Sequence, residues 1–282
     1  MNQSDLQNCK TVAAKGRLLG LDMVYRCASG HIGGSFSAMD ILTVLYFKVM
    51  EQLDPQNAKK DDRDRFVLSK GHCTPALYPI LAQRGFFPLE QLDTFRHIDG
   101  HMSGHAEMHH VAGVDMSTGS LGQGISAAVG MAMAGKLDGA NYRVYTLLGD
   151  GELAEGQVWE AAMSAAKYQL DNICAIVDVN GLQIDGETRD VMPTEPLDDK
   201  FSSFGWHVIK ADGHDFGALE TAFAEAKNKT GMPTVILANT VKGKGVSFME
   251  NNAGWHGKAP NAEQYEIARA ELQAAINELE GK

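Results

Sequence analysis

The chain has 282 residues, 44% of them hydrophobic and 22% charged, a composition that supports a large buried core and argues against disorder. A formal net charge of −11 excludes nonspecific binding to nucleic acid or anionic lipid, which needs clustered Lys and Arg to displace counterions. Any phosphate group must therefore be met by local donors.

Cys9, Cys27, Cys73 and Cys174 form neither a CxxC pair nor a dense disulfide framework. The N-terminus is polar, and no apolar run reaches the roughly 18 residues of a membrane span. These features predict a cytoplasmic protein without signal peptide or anchor.

In chain order, Ala, Leu, Met and Glu at helical spacing predict helices over residues 5–27 and 38–50. The apolar run RFVLS at 65–69 reads as a buried strand, as do 142–148 (YRVYTLL), 173–179 (ICAIVDV), 206–210 and 234–239. Helices are predicted over 123–137, 153–169, 216–227 and 262–279. The alternation implies an α/β fold, a parallel central sheet with helices on both faces. The whole chain, 1–282, is expected to form a single domain that ends in a helix over 261–280. In such sheets ligands sit beyond the carboxyl ends of the strands, and the loops there are rich in glycine.

The sharpest chemical signal is GDGELAEG at 149–156, directly after the strand YRVYTLL, with Asn180 directly after the next strand. An isolated GDG is usually just a turn, since Asp and Gly dominate turns. Here, however, two adjacent strand ends present oxygens together. Magnesium takes six hard oxygens near octahedral geometry and commonly shares them between protein and phosphates. Asp150 and Asn180 can supply two of these, and a main-chain carbonyl in NGLQIDG, most plausibly that of Leu182, a third. Two diphosphate oxygens and a water would complete the set. Gly149, Gly151 and Gly181 let the backbone approach the ligand.

GDG followed some thirty residues later by Asn resembles the thiamine-diphosphate motif, and the flanking motifs resemble those of the transketolase family. SGHIGGSFSAMDIL (29–42), SKGHCTPALY (69–78), GHAE (104–107), STGSLGQGISAAVGMA (117–132) and WHGKAP (255–260) occur in the family's order along nearly the whole chain. The resemblance implies that His31 and His72 face cofactor or sugar, that His105 contacts the donor's hydroxyl groups, and that His256 positions and deprotonates substrate, work that suits an imidazole. It implies that Gly119 and Leu121, in the turn opening a helix, contact the cofactor. It implies too that Ile184 packs under the thiazole ring. Glu155 and Glu160 would join a carboxylate and water network near a subunit interface. The family commonly has proline where this chain has Ala106.

Three competing patterns are present. Gly122, Gly124 and Ala127, with Asp150 after the next strand, approach a dinucleotide fingerprint, but the segment before them, AGVDMSTGS, is not an apolar strand. His97, His101, His105 and His109 repeat every four residues, a zinc pattern if helical, yet Gly100 and Gly104 oppose a helix. Lys242 and Lys244 in VKGKGVSF read either as solvated lysines or as a basic loop closing on a phosphorylated substrate.

The resemblance implies a thiamine-diphosphate- and Mg2+-dependent (or Ca2+- or Mn2+-dependent) transfer of a two-carbon ketol unit from a ketose phosphate to an aldose. The family's catalytic glutamate lies in the next domain, and nothing here resembles that pyrimidine-binding domain. A partner subunit is therefore expected to supply it, in an α2β2 assembly. A chain starting at Met1 is expected to be a natural subunit rather than a fragment. Other thiamine enzymes, such as a deoxyxylulose-phosphate synthase or a 2-oxo acid dehydrogenase component, and a non-catalytic cofactor-binding paralogue are the alternatives.

Overall fold

The computed structural model describes Met1–Lys282. In chain order its helices are α1 (Gln3–Arg26), α2 (Gly33–Val44), α3 (Thr74–Arg84), α4 (Gln123–Leu137), α5 (Gly156–Lys167), α6 (Thr188–Val191), α7 (Leu197–Ser203), α8 (Phe216–Asn228) and α9 (Ala262–Glu280). Its strands are β1 (Arg65–Leu68), β2 (Val144–Gly149), β3 (Ile173–Val179), β4 (Leu182–Gln183), β5 (Gly186–Glu187), β6 (His207–Asp212) and β7 (Thr234–Asn239). Five strands form one parallel sheet in the order β1-β2-β3-β7-β6, and β4 with β5 makes a separate antiparallel ribbon.

The central strands are continuously apolar because both faces of the sheet are covered. Phe66, Leu68, Tyr145, Leu147, Cys174 and Ile176 face one core, shared with α1, α2, α3 and α8. Val67, Val144, Leu148, Ala175 and Val177 face the other, shared with α4, α5 and α7. Burying each large aliphatic side chain here contributes about 1.5–3 kcal/mol. A third cluster, Leu21, Ile32, Phe36, Val246, Met249, Trp255, Ala268 and Leu272, ties α1 and α9 to the segment after β7.

Helices over 123–137, 216–228 and 262–280 match the periodicity closely, and α9 begins with a reciprocal cap between Asn261 and Gln264. Other boundaries differ. The helix expected from residue 38 begins at Gly33 and ends in a single π turn, Leu45–Val49. The helix expected over 153–169 is a 3₁₀ turn, Gly151–Ala154, followed by α5. The periodicity does not predict α3, because Pro75 and Pro79 break the pattern. Pro75 sits in the first turn, where its missing N–H is harmless. Pro79 leaves the carbonyl of Pro75 without its helical donor. That carbonyl packs against Gly20 of α1, where a Cβ would lie 2.3 Å from it.

Candidate active site

The carboxyl ends of the parallel strands lie side by side: Gly149 pairs with Asp178, and Val179 with Asn239. The segments that follow, 69–72 after β1, 150–152 after β2, 180–184 after β3 and 240–244 after β7, meet above the sheet. With residues 31–34 at the start of α2, they surround a cavity of about 250 Å³. Its walls include His31, His72, His105, His256, Gly119, Leu121, Gly149, Asp150, Gly151, Asn180, Leu182 and Ile184. All four candidate histidines and every candidate cofactor or metal residue are thus in one place.

The GDG turn is held by its own carboxylate. Asp150 is buried and accepts hydrogen bonds from the N–H groups of Gly151 (2.8 Å) and Gly181 (2.6 Å), so it bridges the ends of β2 and β3. Asn180 Oδ1 accepts from the Leu182 N–H at 3.1 Å. Burial, then repulsion from Asp178, raises the Asp150 pKa to about 6, against the two N–H donors. A carboxylate so poorly solvated gains strongly from a cation.

One carboxylate, one amide oxygen and one main-chain carbonyl form a hard-oxygen donor set of the kind magnesium shares with phosphates. The Leu182 carbonyl already accepts from a cation, the Lys242 ammonium, at 3.1 Å. No cluster of three or more His, Cys, Asp or Glu side chains is placed to hold a metal ion. The four-residue histidine repeat lies in turns and bends between β1 and β2, and His101 stacks on His110 at 5.5 Å.

The histidines form a cluster with ring centroids 4.9 Å (His31 to His72), 5.1 Å (His72 to His256), 5.5 Å (His31 to His256) and 5.9 Å (His31 to His105) apart. Burial first, then neighbouring positive charge, lowers their pKa values: His31 to about 4, His256 to about 3, and His72 and His105 in the same direction. All four are neutral at pH 7 and can accept or donate. Nδ1 of His31 is buried without a partner. Ala106, where proline is common, does not loosen its loop. Its N–H donates to Gly71 O (3.1 Å) and its carbonyl accepts from Thr118 N (3.0 Å).

Glu155 and Glu160 stand outside the cavity and are exposed, on surface open to a second chain. Glu155 is the N-cap residue of α5, with its Cβ close under the Gly122 turn, so only its neighbour Glu152 points inward. Lys242 is not a solvated loop lysine. It is buried, with Nζ also donating to His256 Nδ1 at 3.0 Å, and burial and then Lys70 lower its pKa. Lys244 does lie near the surface, 3.4 Å from Glu250.

The motifs alone assign no role to the buried polar floor. Lys70 pairs with Asp178, which also accepts from Ser37 (2.6 Å) and Thr240. Burial opposes both charges, but each holds its partner ionised. Glu152 accepts from Ser69 (2.5 Å), Gly122 N (2.9 Å) and Gly149 N (3.0 Å), stitching the α4 turn to the GDG turn. The available signal was a charged residue, Asp178, inside an otherwise apolar strand.

Residues 8–278 match the family model described as transketolase, thiamine diphosphate binding domain. The chain belongs to the transketolase family. It is 46% identical to a 6-deoxy-6-sulfo-D-fructose transketolase subunit of Clostridium sp. (strain MSTE9), covering 96% of this chain and 97% of that one. It is 44% identical to an apulose-4-phosphate transketolase subunit of Phocaeicola vulgatus, covering 94% of each. Among solved structures, transketolase of Campylobacter jejuni superposes with a TM-score of 0.86 at 31% identity. The Pichia stipitis enzyme in complex with sedoheptulose-7-phosphate superposes with 0.87, also at 31%. The chain is covered at 99% and 98%, but it spans only 46% and 45% of those two transketolases. The dinucleotide reading is thereby set aside, and the fold is that of the family's cofactor-binding domain. No helix is long and apolar enough to cross a membrane.

Proposed function

We propose that the chain, as one thiamine-diphosphate-binding domain, is a subunit of a cytoplasmic transketolase that moves a two-carbon ketol unit from a ketose phosphate to an aldose acceptor. The observation that carries this reading is the convergence of Asp150, Asn180 and the Leu182 carbonyl on the cavity that also holds four neutral histidines. These three would hold Mg2+ (or Ca2+ or Mn2+), and Gly149, Gly151, Gly119, Leu121, His72 and the Lys242 ammonium would meet the cofactor. Thiamine diphosphate supplies the carbanion chemistry when bound. This chain's residues orient the substrate and hold or move protons: the His105 and His256 rings lie 5.9 and 5.5 Å from that of His31, all three uncharged, partly shielded from water and able to donate or accept a hydrogen bond. Ile184, 65% exposed at the cavity edge, would be covered by the thiazole.

The names of the relatives, one for a sulfo-sugar and two for apulose 4-phosphate, favour a donor with a terminal anionic group. The relatives named as transketolase subunits favour a partner chain bringing the pyrimidine-binding domain, in an α2β2 assembly. Three buried free cysteines and a fourth, partly buried one fit a reducing compartment.

Asp150→Ala tests the assignment. Calorimetry on the chain together with its partner should show magnesium-dependent binding of thiamine diphosphate weakened by at least about a hundredfold, no less than the loss of a mere outer-shell partner of a metal ligand brings. Unchanged affinity would remove Asp150 from the site.

A further inference from the structure

Behind the cavity wall lies a buried polar chain, Arg17, Asp40 and His214, none of which lines the cavity. Arg17 of α1 makes a two-pronged pair with Asp40 of α2, at 2.9 Å to Oδ1 and 2.7 Å to Oδ2, and also donates to Phe36 O at 3.0 Å. Both residues are at most 7% exposed. Asp40 Oδ2 is also 2.7 Å from Nδ1 of His214, in the turn between β6 and α8. On the other side of that ring, Nε2 lies 2.8 Å from the main-chain N of Val241.

An N–H can donate only to an unprotonated ring nitrogen, so the Val241 bond assigns the His214 proton to Nδ1, which donates it to Asp40. Val241 directly precedes Lys242. The rest of this segment is tied down as firmly: Thr240 N donates to Val179 O (3.0 Å) and Gly243 N to Gly33 O (2.9 Å). Lys242 then spans the cavity wall, with its ammonium on Leu182 O and His256 Nδ1.

We infer that His214, oriented by Asp40 and Arg17, is a positioning residue that sets the place of the Lys242 ammonium in the cofactor site through the Val241 N–H. The inference rests on the reading of Lys242 as part of that site. A buried pair such as Arg17 and Asp40 is costly to desolvate and contributes little net stability. Its return is a fixed geometry: one imidazole tautomer, one acceptor direction, one path for the backbone leading into Lys242. A small displacement there would move a cation away from the diphosphate and from His256 together.

The test is a set of variants of the full chain, co-purified with its partner and titrated calorimetrically with thiamine diphosphate and magnesium. His214→Leu keeps the bulk but removes both hydrogen bonds, and should weaken binding about tenfold, as expected for an unpaired buried N–H and a loosened charge. His214→Gln, with one amide donor and one acceptor, should stay within about threefold of the natural chain. In the double variant with Lys242→Met, His214→Leu should add nothing further, because residues acting through one another are non-additive.

Wild-type affinity in His214→Leu, or losses that simply add in the double variant, would overturn the inference. If Lys242→Met itself binds normally, the placement of Lys242 in the site falls, and the inference with it. Should His214→Leu fail to fold, His214→Asn serves instead. It keeps a donor to Asp40 but cannot reach Val241, and the same tenfold loss is expected or the inference fails.

Discussion

His31, His72 and His256 are imidazoles packed where their charged forms are poorly solvated, and this has a consequence for stability. The unfolded chain protonates them near pH 6.5, whereas in the folded chain burial and neighbouring cations lower His31 to about 4 and His256 to about 3. The unfolded state therefore binds more protons between these values, and stability falls as pH drops from about 6.5 towards 3. Thermal melts of the chain without cofactor should show the midpoint falling over this range, and His256→Asn should flatten the slope. An unchanged slope in that variant would mean that His256 is already solvated. None of this was readable at the level of single residues, because a histidine in a Gly-rich turn says nothing about how deeply it is buried. Lys242 makes the same point: in a glycine-rich loop it reads as a surface lysine, and only the packing of residues 240–260 against α2 buries it.

At the scale of elements, the start of α4 shows how closely the cradle is built. Gly122 has φ +83°, a left-handed conformation that suits glycine, and Gly124 is in the first turn, where a Cβ would lie 2.6 Å from Ser69 Cα. Replacing a helical glycine by alanine ordinarily stabilises, by roughly 0.5–1 kcal/mol. Gly124→Ala should instead destabilise by about 1–3 kcal/mol, since the contact is with backbone and α4 must move away from the β1 end. Urea denaturation measures this directly, and a stabilised variant would show that the approach of α4 to Ser69 is looser than described. The strands and amphipathic helices were legible because their apolar periodicity reflects burial on a regular lattice. The π turn after α2, the β4–β5 ribbon and α3 were not, since each depends on a neighbour: α3 tolerates Pro79 because Gly20 of α1 accommodates the freed carbonyl.

For the whole molecule, the exposed Glu155 and Glu160 are the informative residues. They lie outside the cavity, exposed on α5 and at its N-cap, on the α4–α5 side of the sheet. If these acids serve assembly, Glu160→Ala should leave the melting temperature of the isolated chain within about 1 °C, as for an ordinary surface change. The same variant should weaken association with a subunit carrying the pyrimidine-binding domain, measured by light scattering, and reduce ketol transfer by the mixture. Intact assembly with full activity would return both residues to the status of solvated helix surface.

By itself the sequence determined the parallel α/β sheet and the family, and it singled out the oxygens and imidazoles that the fold brings to one cavity. Apolar runs fix which segments are buried, and short polar and glycine-rich motifs mark the loops that follow the strands. The tertiary structure alone decided the electrostatic setting of those groups. Which histidines are held neutral, which lysine is buried and which carboxylates stiffen the floor depends on side chains brought together from distant parts of the chain, and desolvation acts on that three-dimensional neighbourhood rather than on sequence neighbours.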